Sequence, residues 1–183
     1  MMTERLFVAI SLPPAVRTAL TAVMTPVPGV TWSQPEQVHL TLRFLGAAVP
    51  TTLMNDLVKR FADVRVMAFI LPVEGVGAFP SVGAPRVIWT GVGHAHPRLF
   101  QLRQRIDDAA LGAGLKFDVR TFLPHATLGR CSEHSGPAVT RWLQKQREFV
   151  APPFRVESFE LYASELRPSG AVHTLRDRFE LTA

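Results

Sequence analysis

The chain has 183 residues, of which 47% are hydrophobic and 19% charged, with a formal net charge of +5. That is enough chain to bury a sizeable core, in the proportions of an ordinary globular protein, and no apolar run approaches the roughly 20 residues that span a bilayer. The opening MMTERLFVAISLPP has too short an apolar core, and no basic segment before it, to read as a secretion signal. Cys131 is the single cysteine, which excludes an intrachain disulfide framework and fits a reducing, cytoplasmic setting. The positive balance leans toward an anionic partner, nucleotide or RNA.

In chain order, Arg5 to Ile10 reads as a buried strand closed by Ser11-Leu12-Pro13-Pro14. Pro14 opens a helix to Met24, with Val16, Leu20 and Val23 on one face. Pro26 to Gly29 breaks it, and Trp32 and Pro35 lead into a strand from Val38 to Leu45. Thr51 is a suitable N-cap for a helix to Val64, with Leu53, Leu57, Val58 and Phe61 as its stripe. A strand follows from Met67 to Val76, and the Gly- and Pro-rich stretch Gly75 to Pro85 reads as a loop.

The second half repeats that order. Pro85 to Val92 is a strand, Pro97 to Leu111 a helix, Thr121 to Arg130 a strand, Pro137 to Phe149 a helix and Phe154 to Ala163 a strand. The expectation is one domain, residues 1–183, built as two pseudo-repeated lobes of about 5–77 and 85–164. A last strand, Ala171 to Leu181, follows a turn at Pro168 to Gly170.

The third element of each half carries the same signature, His39-Leu40-Thr41-Leu42 and His125-Ala126-Thr127-Leu128. Alternation in a strand puts His39 and Thr41 on one face, with Leu40, Leu42 and Phe44 on the other. His125 and Thr127 likewise share a face. Lobes related by a pseudo-two-fold axis would turn the two histidines toward one cleft. A neutral imidazole there can take a proton from water while an imidazolium protonates the leaving oxygen of a phosphate ester. The threonine hydroxyls can donate to the non-bridging oxygens.

The other candidates read as structure. His94, His96 and His134 belong to loops, Cys131 is structural, and Phe7, Trp32 and Trp89 are core residues on sequence grounds. Neither signature histidine has a carboxylate or thiol at metal-binding spacing, so no metal and no cofactor is expected. Arg130 faces away from His125 by strict alternation, in an ion pair at the surface. A bend at Gly129 would instead bring its guanidinium to a phosphate at the cleft mouth.

HLTLRFLG with HATLGR resembles the 2H phosphoesterase superfamily, and within it the RNA 2′,3′-cyclic phosphodiesterases once called 2′-5′ RNA ligases. RLFVAI, PRVIW and the closing LYASEL extend the resemblance over nearly the whole chain. It implies an α+β bilobal fold, two lobes of antiparallel sheet with outer helices around a cleft. It implies metal-independent opening of a terminal RNA or oligonucleotide 2′,3′-cyclic phosphate to a 2′-phosphomonoester, reversible as 2′-5′ ligation. His39, Thr41, His125 and Thr127 form the implied catalytic set; the pseudo-symmetry makes the two histidines alike in sequence, and His39 is taken as the acid and His125 as the base. Arg130 and Phe7 are the implied substrate contacts. His173 departs from the family pattern, standing where an aromatic residue is usual. Action as a monomer, away from membranes, is expected. The alternatives are a nucleotide- or RNA-binding module without turnover, and a cyclic phosphodiesterase for a small nucleotide such as ADP-ribose cyclic phosphate.

Overall fold

A computed structural model describes residues 2–117, 121–167 and 170–183. Its elements run β1 (Thr3–Ser11), α1 (Pro14–Val23), β2 (Val30–Trp32), β3 (His39–Pro50), α2 (Met54–Ala62), β4 (Phe69–Phe79) and β5 (Val87–Gly91). They continue with α3 (Pro97–Gly112), β6 (His125–Cys131), α4 (Gly136–Lys145), β7 (Val150–Val156), β8 (Ser158–Arg167) and β9 (Gly170–Glu180). The fold is α+β, with one curled antiparallel sheet in the order β7-β4-β5-β6-β3-β1-β8-β9 and β2 added alongside β6.

The two signature strands, β3 and β6, lie at the centre of that order. Each half of the chain sends its last long strand across to the other's side. β4 pairs with β5, and β8 pairs with β1. The helices cross as well, α1 resting against β7 and α3 against β3.

Two cores result. Leu6, Val8, Ile10, Leu40, Leu42 and Leu161 meet Leu57 and Phe61 of α2 and Leu99, Leu102 and Ile106 of α3. Ile88, Ala126 and Leu128 meet Val16 and Leu20 of α1 and Val139 and Trp142 of α4. Each fully buried leucine here stabilises the fold by about 1.5–3 kcal/mol. Both cores lie on the helical face of the sheet, which leaves the opposite face of β3 and β6 for chemistry.

Several boundaries differ from those read in the sequence. The stretch read as a loop from Gly75 belongs to β4 as far as Phe79. Gly77 is no breaker there: a Cβ on it would stand 2.1 Å from the Trp89 ring, which fills its place. The strand expected from Phe154 to Ala163 is cut at Glu157 into β7, at one edge of the sheet, and β8, which lies between β1 and β9 near the other. Pro152 and Pro153 are tolerated because β7 is an edge strand. Thr51 does not cap α2. It opens a 3-10 turn, and its hydroxyl donates to the Met2 carbonyl. Residues 121–124, expected as strand, have no regular structure, and Pro168 and Ser169 of the expected turn lie outside the described residues. Among the described residues no helix is long and apolar enough to cross a membrane.

Candidate active site

β3 and β6 meet at Leu40, which pairs with Ala126 in antiparallel register. The neighbours of that pair are therefore His39 beside Thr127 in one direction and Thr41 beside His125 in the other. Leu40 and Ala126 are buried among the helices at 0% and 3% exposure. Alternation turns the four flanking residues to the other face, where all are half-buried. The residues of the two signatures are thus brought together at one crossing of strands.

Both strands then make the same irregularity one residue later. In β3 the pairing with β1 steps from Ala9–Thr41 to Val8–Arg43 and Phe7–Phe44. The step corrects the simple alternation: Arg43 turns to the helical face, while Phe44 turns to the cleft face and is 41% exposed. In β6 the pairing with β5 steps from Trp89–Thr127 to Ile88–Gly129 and Val87–Arg130. Trp89 and Val87 share a face, so Arg130 shares the face of Thr127, as a bend at Gly129 required. Arg130 is exposed there.

The two imidazoles are held alike. His39 Nδ1 lies 2.7 Å from the Gln37 carbonyl oxygen, and His125 Nδ1 lies 2.6 Å from that of Leu123. A carbonyl only accepts, so each Nδ1 carries a proton, and in the neutral ring the lone pair is on Nε2, the nitrogen turned away from that carbonyl. Their surroundings differ. Burial pushes the His39 pKa down to about 4, against the supporting hydrogen bond to Gln37 and with a further push from His173. His39 is therefore neutral near pH 7 in the free protein.

Rings enclose both sites. Phe7, only 6% exposed, stacks on His39 at 4.8 Å and on Tyr162 at 5.3 Å, and the Tyr162 hydroxyl is 2.8 Å from Ser11 Oγ. His173 meets both His39 and Phe7 edge to face, at 5.3 and 4.9 Å. Burial, then Arg5, lowers the His173 pKa. Phe7, Arg17, Glu36, His39, Tyr162 and His173 are among the residues lining a pocket of about 170 Å³. On the other side Phe79 approaches His125 edge-on at 5.0 Å, and Trp89 lies 6.3 Å away. A larger concavity, about 500 Å³, opens beside Arg60, Asp63 and Arg105 among the helices. It includes no signature residue, whereas the smaller pocket includes His39.

Trp89 was read as core and instead walls the cleft. Phe79 has no sequence signal of its own, because it lies inside the Gly- and Pro-rich stretch that reads as a loop. The two carbonyls that orient the imidazoles have no side-chain signature, although the shared two-residue offset was available. Of the remaining histidines, His96 caps α3, its Nδ1 accepting from the Arg98 amide at 3.1 Å, while His94 and His134 are exposed. Cys131 ends β6, its thiol pKa raised by burial. Among the described residues no three His, Cys, Asp or Glu side chains form a group able to hold a metal ion.

A curled antiparallel sheet with helices on its back is the fold of the 2H phosphoesterases, and this chain sets its two His-x-Thr strands at the centre of that sheet. Within that class the chain belongs to the LigT like Phosphoesterase family, which it matches over residues 10–89 and 92–173. It is 34% identical over 186 residues to an RNA 2′,3′-cyclic phosphodiesterase of Thermus thermophilus, covering 97% of this chain and 90% of that one. An enzyme of the same name from Archaeoglobus fulgidus is 31% identical over 172 residues, covering 92% and 96%. The crystal structure of Escherichia coli LigT complexed with 3′-AMP superposes with a TM-score of 0.80 at 28% identity, covering 99% of both chains.

Proposed function

We propose that this protein hydrolyses terminal 2′,3′-cyclic phosphates of RNA to 2′-phosphomonoesters, without a metal ion, using His39 and His125 as an acid–base pair. The observation that carries the reading is the Leu40–Ala126 pairing, because it sets a histidine and a threonine from each strand around one crossing. The names of the relatives support the substrate class.

In the proposed reaction His125 takes a proton from water as its oxygen attacks phosphorus. The P–O3′ bond breaks, and His39 gives its proton to O3′. Thr41 and Thr127 donate to the non-bridging oxygens, and the Arg130 guanidinium holds the phosphate from the rim. Phe7 walls the substrate on the His39 side. His39 is neutral in the free protein, so it must take up a proton from solvent as the substrate binds. An anionic phosphate beside Nε2 favours the imidazolium and opposes the effect of burial. The reverse reaction joins a 2′-phosphate end to an alcohol through the same site.

The test is phosphorus NMR of the products from a 2′,3′-cyclic-phosphate oligonucleotide after exhaustive EDTA treatment. A 2′-phosphate formed at the untreated rate is expected. A dominant 3′-phosphate, or a loss of rate restored by Zn²⁺ or Mn²⁺, contradicts the reading.

A further inference from the structure

A buried charged cluster lies behind the cleft. Arg43, turned to the helical face by the irregularity in β3, donates from Nε to Asp107 Oδ1 at 2.6 Å and from Nη2 to Oδ2. Arg103, one turn before Asp107 on α3, donates to the same carboxylate at 3.0 and 3.1 Å. The three residues are 8%, 9% and 7% exposed. Each guanidinium also covers a ring, Arg43 that of Phe117 at 4.4 Å and Arg103 that of Phe122 at 4.8 Å. Phe122 meets Phe100 edge-on at 5.9 Å as well.

Stability alone is a weak reason for such a group, since apolar side chains of equal volume commonly replace a buried ion pair at no cost. Its position suggests another role. Phe122 immediately precedes Leu123, whose carbonyl accepts from His125 Nδ1. Leu123 is 59% exposed, so its own side chain does not anchor that carbonyl. The first site is built differently. The Gln37 carbonyl ends a 3-10 turn that the Gln37 amide closes by donating to the Gln34 carbonyl, with Val38 buried behind it. Residues 121–124 have no such turn.

We propose that Phe122, clamped by Arg103 and through it by the Asp107–Arg43 pair, is a positioning residue for His125. The ring holds the Leu123 carbonyl where it selects the Nδ1–H tautomer and aims Nε2 into the cleft. Arg43 lies on the first signature strand, so the clamp ties the setting of His125 to the strand that carries His39. The kinetic part of this inference rests on the proposed function; the tautomer part does not.

The experiment is nitrogen-15 NMR of the histidine rings, with steady-state kinetics on a 2′,3′-cyclic dinucleotide, for wild type, Phe122→Leu, Phe122→Tyr and Arg103→Met. In wild type both His39 and His125 show the Nδ1–H tautomer. In Phe122→Leu His125 becomes a mixture of tautomers while His39, an internal control for folding, is unchanged. The kcat falls about 10–100-fold, the scale expected of a misplaced catalytic group, and KM changes little. Phe122→Tyr, which keeps the ring, restores both readings. Arg103→Met, which keeps Phe122 but removes the guanidinium, shifts the His125 tautomer in the same direction. A pure Nδ1–H tautomer at His125 in folded Phe122→Leu or in Arg103→Met overturns the proposal. A shifted tautomer with full turnover upholds the positioning and removes His125 from the chemistry, so the two readings fail separately.

Discussion

Leu40 pairs with Ala126, and that contact between two small-to-medium apolar residues sets the geometry of the cleft. Its side chains are spent on the two cores, at 0% and 3% exposure, so the residues on either side have only the opposite face to occupy. The fold thus builds a two-sided site from strands of different halves of the chain with no loop supplying either histidine.

Activity should persist to unusually low pH. The doubly protonated pair, which has no base, cannot form until pH falls to the His39 value of about 4. The acid limb of kcat/KM therefore lies near pH 4 and not at the ordinary imidazole value near 6.5. His173→Phe removes one of the influences lowering that value and moves the limb upward. An acid limb near 6.5 in wild type contradicts the burial argument.

The same depressed pKa makes stability depend on pH in a defined window. Above about 6.5 His39 is neutral in both folded and unfolded chains and contributes no pH dependence. Between there and about 4 the unfolded chain binds a proton that the folded chain refuses, so stability falls as pH drops, and it levels off below. Urea midpoints measured from pH 7.5 to 4.5 should fall less steeply in His39→Asn than in wild type. Parallel curves would place the sensitivity elsewhere.

The irregularity in β3 predicts unequal costs for two neighbouring apolar residues. Leu42, 2% exposed, should lose about 2–5 kcal/mol on truncation to alanine. Phe44, 41% exposed with the Arg5 guanidinium 4.4 Å from its ring centroid, should lose less than about 1 kcal/mol. Chemical denaturation of the two variants decides it, and equal losses would mean that simple alternation holds through Phe44.

Gly77 leaves the space that an aromatic ring fills. Its missing side chain is replaced by the Trp89 ring, which in turn lies beside His125. Gly77→Ala should destabilise by about 1–3 kcal/mol through overpacking and should lower kcat, because the displaced indole crowds His125. A variant with wild-type stability and rate would show that the indole has room to move.

Much of the fold could be read from residues alone wherever a local period was strong. The stripe Leu99, Leu102, Ile106 and Ala110 announced α3, and the repeated His-x-Thr announced the two central strands. Failures occurred where tertiary partners overrule local signals. Gly75 and Gly77 look like breakers until Trp89 is laid over the second of them. Nothing around Glu157 marks the step from β7 to β8, because the break is made by strand pairing, β7 with β4 and β8 with β1 and β9. Strict alternation misdirected Phe44 because the step after Leu42 is visible only in its pairing with β1. For Arg130 alternation and a bend at Gly129 gave opposite faces, and the pairing with β5 favours the bend. His173 stood out only by its departure from the family pattern, and contact with His39 gives that departure a consequence.

The central claim is that His39 and His125 act together in one transition state. Single-turnover rates on a cyclic-phosphate oligonucleotide test it most directly, measured for His39→Ala, His125→Ala and the double variant. Assistance from one positioned acid or base is typically worth about 10²–10⁴-fold, or roughly 3–5 kcal/mol of barrier. Each single variant should lose about that much, and the double variant clearly less than the two losses combined, since either proton transfer is of little use without the other. Strictly additive losses would make the histidines independent. Near-wild-type turnover in either single variant would contradict the account.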